Sequence, residues 1–143
     1  MLHDESTVTI DRTPEDVYDY LVDGLNGMTW RQGIRSIALR AGTVGAVGAE
    51  YAQELAGPGG RSIPGDYRVT VADRPDRIQF EVIAGPLHPK GTYAISADGS
   101  GSRVTFALDA QPAGIMRLMS GTIRKTMASE VGSLATLKQV LES

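Results

Sequence analysis

The sequence predicts an α+β fold in which a long C-terminal helix covers an antiparallel sheet. Between Ile34 and Leu108, short runs of alternating apolar and polar residues are separated by turns that contain Gly and Pro. This pattern is typical of half-buried strands. From about Ala113 to Glu142 there is no proline, and apolar residues recur every three or four positions, as in an amphipathic helix. Because short turns join successive strands, the sheet should be an antiparallel meander with one covered face.

The N-terminal part predicts one strand and then two short helices. Residues Ser6–Ile10 alternate in polarity, as a strand with one buried face does. Thr13 is suited to cap a helix that begins at Pro14, because proline lacks the N–H that the first turn leaves unpaired. This helix should end near Val22, and a second helical turn should precede Trp30.

Six further strands are predicted, with turn residues between them. They cover Ile34–Leu39, Glu50–Leu55, Tyr67–Val71, Ile78–Val82, Tyr93–Ser96 and Val104–Leu108. The C-terminal helix is about 40 Å long if it is continuous, which is enough to cross the whole sheet. Gly121 and Gly132 within it allow either a close approach to the sheet or a bend.

Composition and charge exclude several classes of function. The chain of 143 residues is expected to form a single domain, residues 1–143. The absence of Cys excludes disulfides and thiolate sites, and two His without metal-ligand spacing predict no metal. The Gly42–Gly48 stretch does not match GxGxxG, so we expect no dinucleotide or other cofactor. A net charge of −3 argues against nucleic acid as a partner.

The location expected from the sequence is cytoplasmic. No apolar run approaches the ~18 residues of a membrane span, so we expect no stable membrane insertion. The segment Met1–Glu5 has neither the basic start nor the apolar run of a signal peptide.

Alternation along the strands gives an inward face that is apolar. Its members are Tyr67, Val69, Val71, Ile78, Phe80, Val82, Tyr93, Ile95, Val104, Phe106 and Leu108. The facing helix supplies Ile115, Met119, Ile123 and Met127. These residues form either a filled core or a pocket for a small apolar molecule, with tyrosine hydroxyls as its polar groups. No charged side chain of the strands shares this face.

Only a few residues are candidates for chemistry. His88 lies in a loop between prolines and is either a solvated residue or a pocket-rim hydrogen-bond donor or general base. His3 lies near a terminus that is expected to fray. Trp30 is either a core residue or a stacking surface for a ligand. Arg31 and Arg68 are suited to bind a carboxylate, although we expect both to lie in solvent.

The order of elements and several short motifs resemble a known superfamily. The residues that carry this resemblance are Thr13–Tyr18, Trp30, Val47–Gly48, Tyr67–Val69, Asp73–Pro75, Tyr93, Thr105 and Leu134–Lys138. The chain resembles the SRPBCC superfamily, also called START-like or Bet v 1-like, over nearly its whole length. Within it, the chain is most similar to the bacterial polyketide cyclase/dehydrase and lipid transport group.

This resemblance implies a helix-grip fold, in which a curved seven-stranded antiparallel sheet wraps around the C-terminal helix and leaves a cavity. Gly85-x-x-His88 resembles the latch loop of plant abscisic-acid receptors, and Ser62–Gly65 lies where their gate loop would be. Both loops are therefore expected to border a pocket. The candidate ligand-binding residues are Trp30, Tyr51, Tyr67, Phe80, Val82, His88, Tyr93, Phe106, Met119, Ile123 and Met127. The candidate catalytic residues are His88, Tyr93, Tyr67 and Arg31.

Three functions remain open from the sequence. The first is binding, with transport or sequestration, of a small hydrophobic or amphipathic ligand. The second is a polyketide cyclase or dehydratase that uses the same pocket without a metal. The third is a co-chaperone or protein-interaction module. The expected oligomeric state is a monomer or a homodimer.

Overall fold

Antiparallel strands form one curved sheet, and helices pack against it. The computed structural model describes residues 1–143, except for the side chain of Pro58. The strands are β1 (Leu2–Ile10), β2 (Ile34–Ala41), β3 (Glu50–Ala56), β4 (Ser62–Pro64), β5 (Tyr67–Asp73), β6 (Arg77–Val82), β7 (Lys90–Asp98) and β8 (Gly101–Ala110). The helices are α1 (Pro14–Val22), α2 (Gly27–Trp30), α3 (Ser120–Gly132) and α4 (Leu134–Glu142), with 3-10 turns at Gly24–Asn26, Pro58–Gly60 and Gly114–Met119. This arrangement confirms the predicted helix-grip class.

The strand order is β1-β8-β7-β6-β5-β3-β2, and the short strand β4 pairs with β3. The predicted meander is therefore confirmed from β5 to β8. The first and last strands also pair, in a register that runs from Leu2 opposite Ala110 to Ile10 opposite Ser102. The prediction of a frayed N-terminus around His3 is wrong, because this pairing begins at the second residue and buries Leu2.

The first helix begins and ends where the sequence predicts, and the predicted second helical turn is present and includes Trp30. Thr13 Oγ1 accepts a hydrogen bond of 3.2 Å from the Asp16 N–H, and Pro14 occupies the first helical position. This cap satisfies one of the N–H groups that a helix start leaves unpaired. The helix α2 ends at Trp30, which is buried. Local capping chemistry therefore accounts for the start of α1.

The long C-terminal helical segment is present but is interrupted at Ser133. The Ser133 N–H bonds back to the Glu130 and Val131 carbonyls, and its hydroxyl donates to the Ser129 carbonyl at 3.3 Å. A serine that bonds back to the preceding turn bends a helix. Gly132 makes no close approach to the sheet, because a Cβ built there would meet no atom within 4 Å, and the helix is interrupted directly after it.

The first turn of the predicted helix is a 3-10 turn, and this changes which residues meet the sheet. Ile115 is 79% exposed and Met119 is 47% exposed. The prediction that both face the sheet is wrong, because the α-helical period begins only at Ser120. Ile123 and Met127 follow that period and are buried as predicted.

The core has two parts that meet at Phe80. The larger part contains Val104, Leu134 and Leu137, none of which is exposed. The smaller part consists of Ala49, Tyr51, Tyr67 and Val69. The Phe80 side chain packs against both parts. Within the described residues, no helix combines the length and apolar character that crossing a membrane requires.

Candidate functional site

A row of aromatic side chains crosses the covered face of the sheet. Tyr51, Tyr67, Phe80, Tyr93 and Phe106 lie on β3, β5, β6, β7 and β8, respectively. The ring centroids of Tyr51 and Tyr67 are 5.1 Å apart, those of Tyr67 and Phe80 5.3 Å, and those of Phe80 and Tyr93 5.9 Å. The Tyr93 and Phe106 rings are 4.4 Å apart. These are the separations of favourable aromatic pairs, so the sheet brings five predicted ligand-binding residues together.

Trp30 closes this row from the helical side. Its ring meets Tyr93 edge-on, with centroids 6.2 Å apart and planes at 67°. Gly91 in β7 lies opposite Phe80, and a Cβ built on it would collide with the Phe80 ring at Cζ. The absence of a side chain at residue 91 therefore lets the Phe80 ring lie flat on the sheet, within the aromatic row.

A cavity of about 30 Å³ lies between this row and the connection from α1 to α2. Its lining consists of Leu21, Val22, Asp23, Gly24, Gly27, Trp30, Arg31, Tyr67, Val69, Ile78, Phe80 and Tyr93. A volume of this size holds about two water molecules. The structure has features of both predicted arrangements, the filled core and the pocket. Aromatic side chains fill most of the space, and they leave a small cavity beside polar groups.

Arg31, which lines the cavity, forms a largely buried ion pair with Glu130, which lies outside the lining. The Arg31 side chain is 12% exposed and that of Glu130 is 20% exposed. Arg31 Nε donates to Glu130 Oε2 at 3.3 Å, and Arg31 Nη2 donates to Glu130 Oε1 at 3.5 Å. The expectations of an uncharged interior and of a solvated Arg31 are wrong. Strand alternation concerns only strand residues, whereas Arg31 follows α2 and Glu130 lies on α3. Arg68 has the exposed position that was predicted.

Gln53 completes the polar cluster. Its Oε1 accepts from Arg31 Nη1 at 3.3 Å, and its Nε2 donates to the Gly65 carbonyl at 2.9 Å. Sequence reasoning missed both Gln53 and Glu130 as site residues. Each carried a signal, since Gln53 shares the strand face of Tyr51 and Glu130 follows Met127 by one helical step of three.

The tyrosine hydroxyls of the cavity are protonated at neutral pH and can donate hydrogen bonds. Burial raises the pKa of Tyr67 and of Tyr93 well above the ordinary range, although the nearby Arg31 charge acts in the opposite direction. For Arg31, burial lowers the pKa, but the Glu130 carboxylate outweighs it and the net effect is an increase. Arg31 is therefore cationic, and both tyrosines keep their protons.

Tyr51 differs from the other tyrosines in its hydroxyl group. The side chain is completely buried, and Tyr51 Oη has no hydrogen-bond partner within the part of the chain that the structure describes. Its Cζ would lie 2.9 Å from a Cβ built on Gly24, which lines the cavity, and Tyr67 Oη would lie closer still to the same point. The two phenol groups therefore approach the cavity wall together.

The remaining predicted site residues lie outside the cavity lining. His88 is exposed in the loop between β6 and β7, where its Nε2 donates to the Gly85 carbonyl at 2.8 Å. Val82 is partly buried against the smaller core, and Met119 is half-exposed. Ile123 and Met127 belong to the larger core, together with Trp30. Their roles in ligand binding stay predictions.

Comparison with solved structures defines the class of protein. A START superfamily protein from Mycobacterium smegmatis is 15% identical, with a TM-score of 0.77 over 98% of this chain and 97% of that one. The protein TTHA0849 from Thermus thermophilus is 17% identical, with a TM-score of 0.78 over 96% and 95%. The di-domain ARO/CYC protein StfQ of the steffimycin biosynthetic pathway is 16% identical, with a TM-score of 0.76 over 98% of this chain and 50% of that one. At these identities the likeness establishes the fold, which is that of the START-like, or SRPBCC, proteins.

Comparison with family models is more specific. Residues 1–142 match the family described as polyketide cyclase / dehydrase and lipid transport. The chain belongs to this family. A search of curated proteins found no match.

Proposed function

We propose that this protein binds a small hydrophobic or amphipathic molecule between the sheet and the helices. The observation that supports this is the row of aromatic side chains on neighbouring strands that faces a cavity beside Trp30. Stability of the fold alone would require neither a cavity nor this many aromatic rings next to an ion pair. Apolar walls with a few placed polar groups are the usual composition of a small-molecule site.

Binding on this proposal requires the cavity to expand. Ligand pockets commonly measure about 300–1,000 Å³, whereas this cavity measures about 30 Å³. The Phe80 ring lines this cavity and is only partly buried. Regions with little buried surface open at the lowest free-energy cost. We therefore expect the Phe80 ring to move when a ligand enters.

The first experiment asks whether a molecule accompanies the protein. Native mass spectrometry of protein purified from its own host should show a mass excess that denaturing extraction removes and identifies. The purified protein should also raise the fluorescence of N-phenyl-1-naphthylamine, an uncharged apolar probe, with saturable binding.

Two matched substitutions locate that binding. Val69 lines the cavity, whereas Val47 is 61% exposed. Val69→Phe should fill the cavity and weaken probe binding at least about tenfold, which is about 1.4 kcal/mol, while Val47→Phe should leave it unchanged. Circular dichroism shows whether both variants are folded. Lack of any accompanying molecule together with lack of saturable probe binding would refute the proposal.

A cyclase or dehydratase activity in the same cavity is the second candidate. It is favoured by the presence of Arg31, Tyr67 and Tyr93 in one lining. Protonated phenols and a guanidinium stabilise the oxyanion that forms when a poly-β-carbonyl substrate enolises. We expect Tyr93→Phe to lower turnover of such a substrate by about 100-fold, and His88→Ala to leave it unchanged, because His88 lies outside the cavity lining. Full turnover by the Tyr93→Phe enzyme would exclude that role.

A further inference from the structure

We propose that the ligand of this cavity carries a carboxylate, which binds the Arg31 guanidinium in competition with Glu130. The inference rests on the proposed function, because it names the chemical class of the molecule that the cavity takes. The proposal favours acidic amphipathic molecules as ligands over purely apolar lipids and over neutral polyketides.

The first argument is the loose pairing of a buried cation. The contacts of Arg31 with Glu130 and Gln53 all measure 3.3–3.5 Å between nitrogen and oxygen. The exposed pair of Arg74 with Asp19 has contacts of 2.8 and 3.0 Å. Charge-assisted hydrogen bonds ordinarily measure about 2.7–2.9 Å, and a buried charge needs such partners more than an exposed one does. The Arg31 guanidinium therefore keeps unused capacity to donate.

The second argument is the excess of donors around that cation. Tyr67 and Tyr93 share the cavity lining with Arg31 and are protonated. The fully buried Tyr51 hydroxyl lies next to them and has no partner among the described residues. Asp23 is the acidic residue of the lining, and its Oδ1 accepts from the Leu25 N–H as a helix cap. A group that offers two acceptor oxygens and a negative charge is the complement of this wall.

The third argument concerns the position of Glu130. Its side chain keeps 20% of its surface in contact with water, compared with 12% for Arg31. A ligand carboxylate that takes its place leaves Glu130 with a route to solvent, so no buried anion is stranded. Glu130 therefore neutralises Arg31 in the free protein and is displaced from Arg31 when a ligand carboxylate binds.

The test compares two probes of nearly the same size, one anionic with two acceptor oxygens and one neutral with a single acceptor oxygen. Naphthalene-2-carboxylate and naphthalene-2-carboxamide have the same ring and nearly the same shape, and titration calorimetry measures the Kd of each. The wild-type protein should bind the acid at least about tenfold more tightly than the amide, since hydrogen bonds to charged groups contribute about 1.5–3 kcal/mol.

Substitutions of the ion pair assign the preference to Arg31. Glu130→Gln removes the competing charge and should strengthen binding of the acid about tenfold more without changing binding of the amide. Glu54→Gln makes the same change at an exposed position of β3 and should alter neither Kd. The double variant Arg31→Met/Glu130→Gln leaves no unpaired buried charge and should bind both probes equally.

The outcomes separate the two proposals. Equal binding of acid and amide by the wild-type protein, with no gain for the acid in Glu130→Gln, would overturn the carboxylate proposal and leave the binding function standing. Retention of the preference for the acid in the double variant would overturn it as well. If neither naphthalene probe bound any folded variant, while N-phenyl-1-naphthylamine still bound saturably, the carboxylate proposal would be overturned and the binding function would stand. Lack of binding by all three probes, together with lack of an accompanying molecule, would refute the binding function itself.

Discussion

Two sets of interior side chains, called here the aliphatic part and the aromatic part, are built on different principles. The aromatic part spans both core clusters described above, because Trp30 and Tyr93 pack in the larger one and Tyr51 and Tyr67 in the smaller one. The aliphatic part, which consists of Ile10, Val17, Val104, Leu134 and Leu137, is no more than 1% exposed at any residue. The aromatic part, which consists of Trp30, Tyr51, Tyr67, Phe80 and Tyr93, borders a cavity, an ion pair and a hydroxyl without a partner.

This difference indicates which part maintains the fold and which part is available for function. Close packing of aliphatic side chains stabilises a protein without any polar requirement. Loosely paired charges and an unsatisfied hydroxyl destabilise the native state. Departures of this kind from an optimal core concentrate at functional sites. We therefore place the ligand in the aromatic part and most of the stability in the aliphatic part.

The largest expected effect is in the aliphatic part. Leu137→Ala should lower the free energy of unfolding by about 2–5 kcal/mol, because Leu137 is completely buried and its loss leaves a cavity. Urea denaturation measures the change. Leu118→Ala, the same substitution at a residue that is 85% exposed, should cost less than about 0.5 kcal/mol. Similar losses in the two variants would show that burial of Leu137 does not stabilise the fold.

The next largest effect concerns the ion pair of the aromatic part. Arg31→Met alone should lower the free energy of unfolding by about 2 kcal/mol, below the ~3–5 kcal/mol of a fully buried pair, because Glu130 loses its partner but keeps 20% of its side chain in contact with water. Arg31→Met/Glu130→Met should recover most of this loss, since well-packed apolar residues often replace a buried pair without cost. Arg74→Met, which breaks an exposed pair, is the control and should have a much smaller effect. No recovery in the double variant would mean that the pair stabilises the fold.

A smaller effect of opposite sign is expected at Tyr51. Tyr51→Phe should raise the free energy of unfolding by about 1 kcal/mol, because it removes a buried hydroxyl without a partner. Tyr20→Phe is the matched control, since the Tyr20 hydroxyl bonds to Thr29, and it should be neutral or destabilising. Destabilisation by Tyr51→Phe would show that this hydroxyl has a partner in solution.

The smallest effect is a pH dependence at the N-terminal end of β1. Hydrogen bonds of His3 with Asp109 and with Glu5 raise its pKa above the ordinary value of 6.5. The protonated ring therefore stabilises the fold below pH 6.5, and this contribution is lost as the pH rises through the raised value. His3→Gln should be less stable than wild type in acid and equally stable in alkali. Thermal unfolding across this range measures the difference, and a constant difference would exclude this role of protonation.

The local features of the fold were accessible from the sequence. Thr13 and Pro14 mark the start of α1, and the alternation from Tyr67 to Leu108 marks the strands and their covered face. These signals depend on residues that are neighbours in the chain or one helical turn apart. The aromatic strand residues of the site were predicted for the same reason, because alternation places Tyr67, Phe80, Tyr93 and Phe106 on one face of the sheet.

Other features were not accessible from local patterns. The start of β1 at Leu2 depends on pairing with β8, at the other end of the chain. The break at Ser133 depends on a side-chain bond to the preceding turn, which periodicity does not report. The position of His88 outside the cavity lining depends on the path of a loop, whose conformation Gly and Pro signal only in general terms.

The sequence by itself determined the order of the elements, the capped first helix and the apolar side of the sheet, because each follows from contacts between near neighbours in the chain. The tertiary structure alone decided that Arg31 meets Glu130, 99 residues later in the chain. It also decided that aromatic rings leave a cavity of about 30 Å³ beside this pair. Burial of a charge and the volume left between packed side chains are properties of elements brought together from distant parts of the chain, and alternation within one strand carries no record of them.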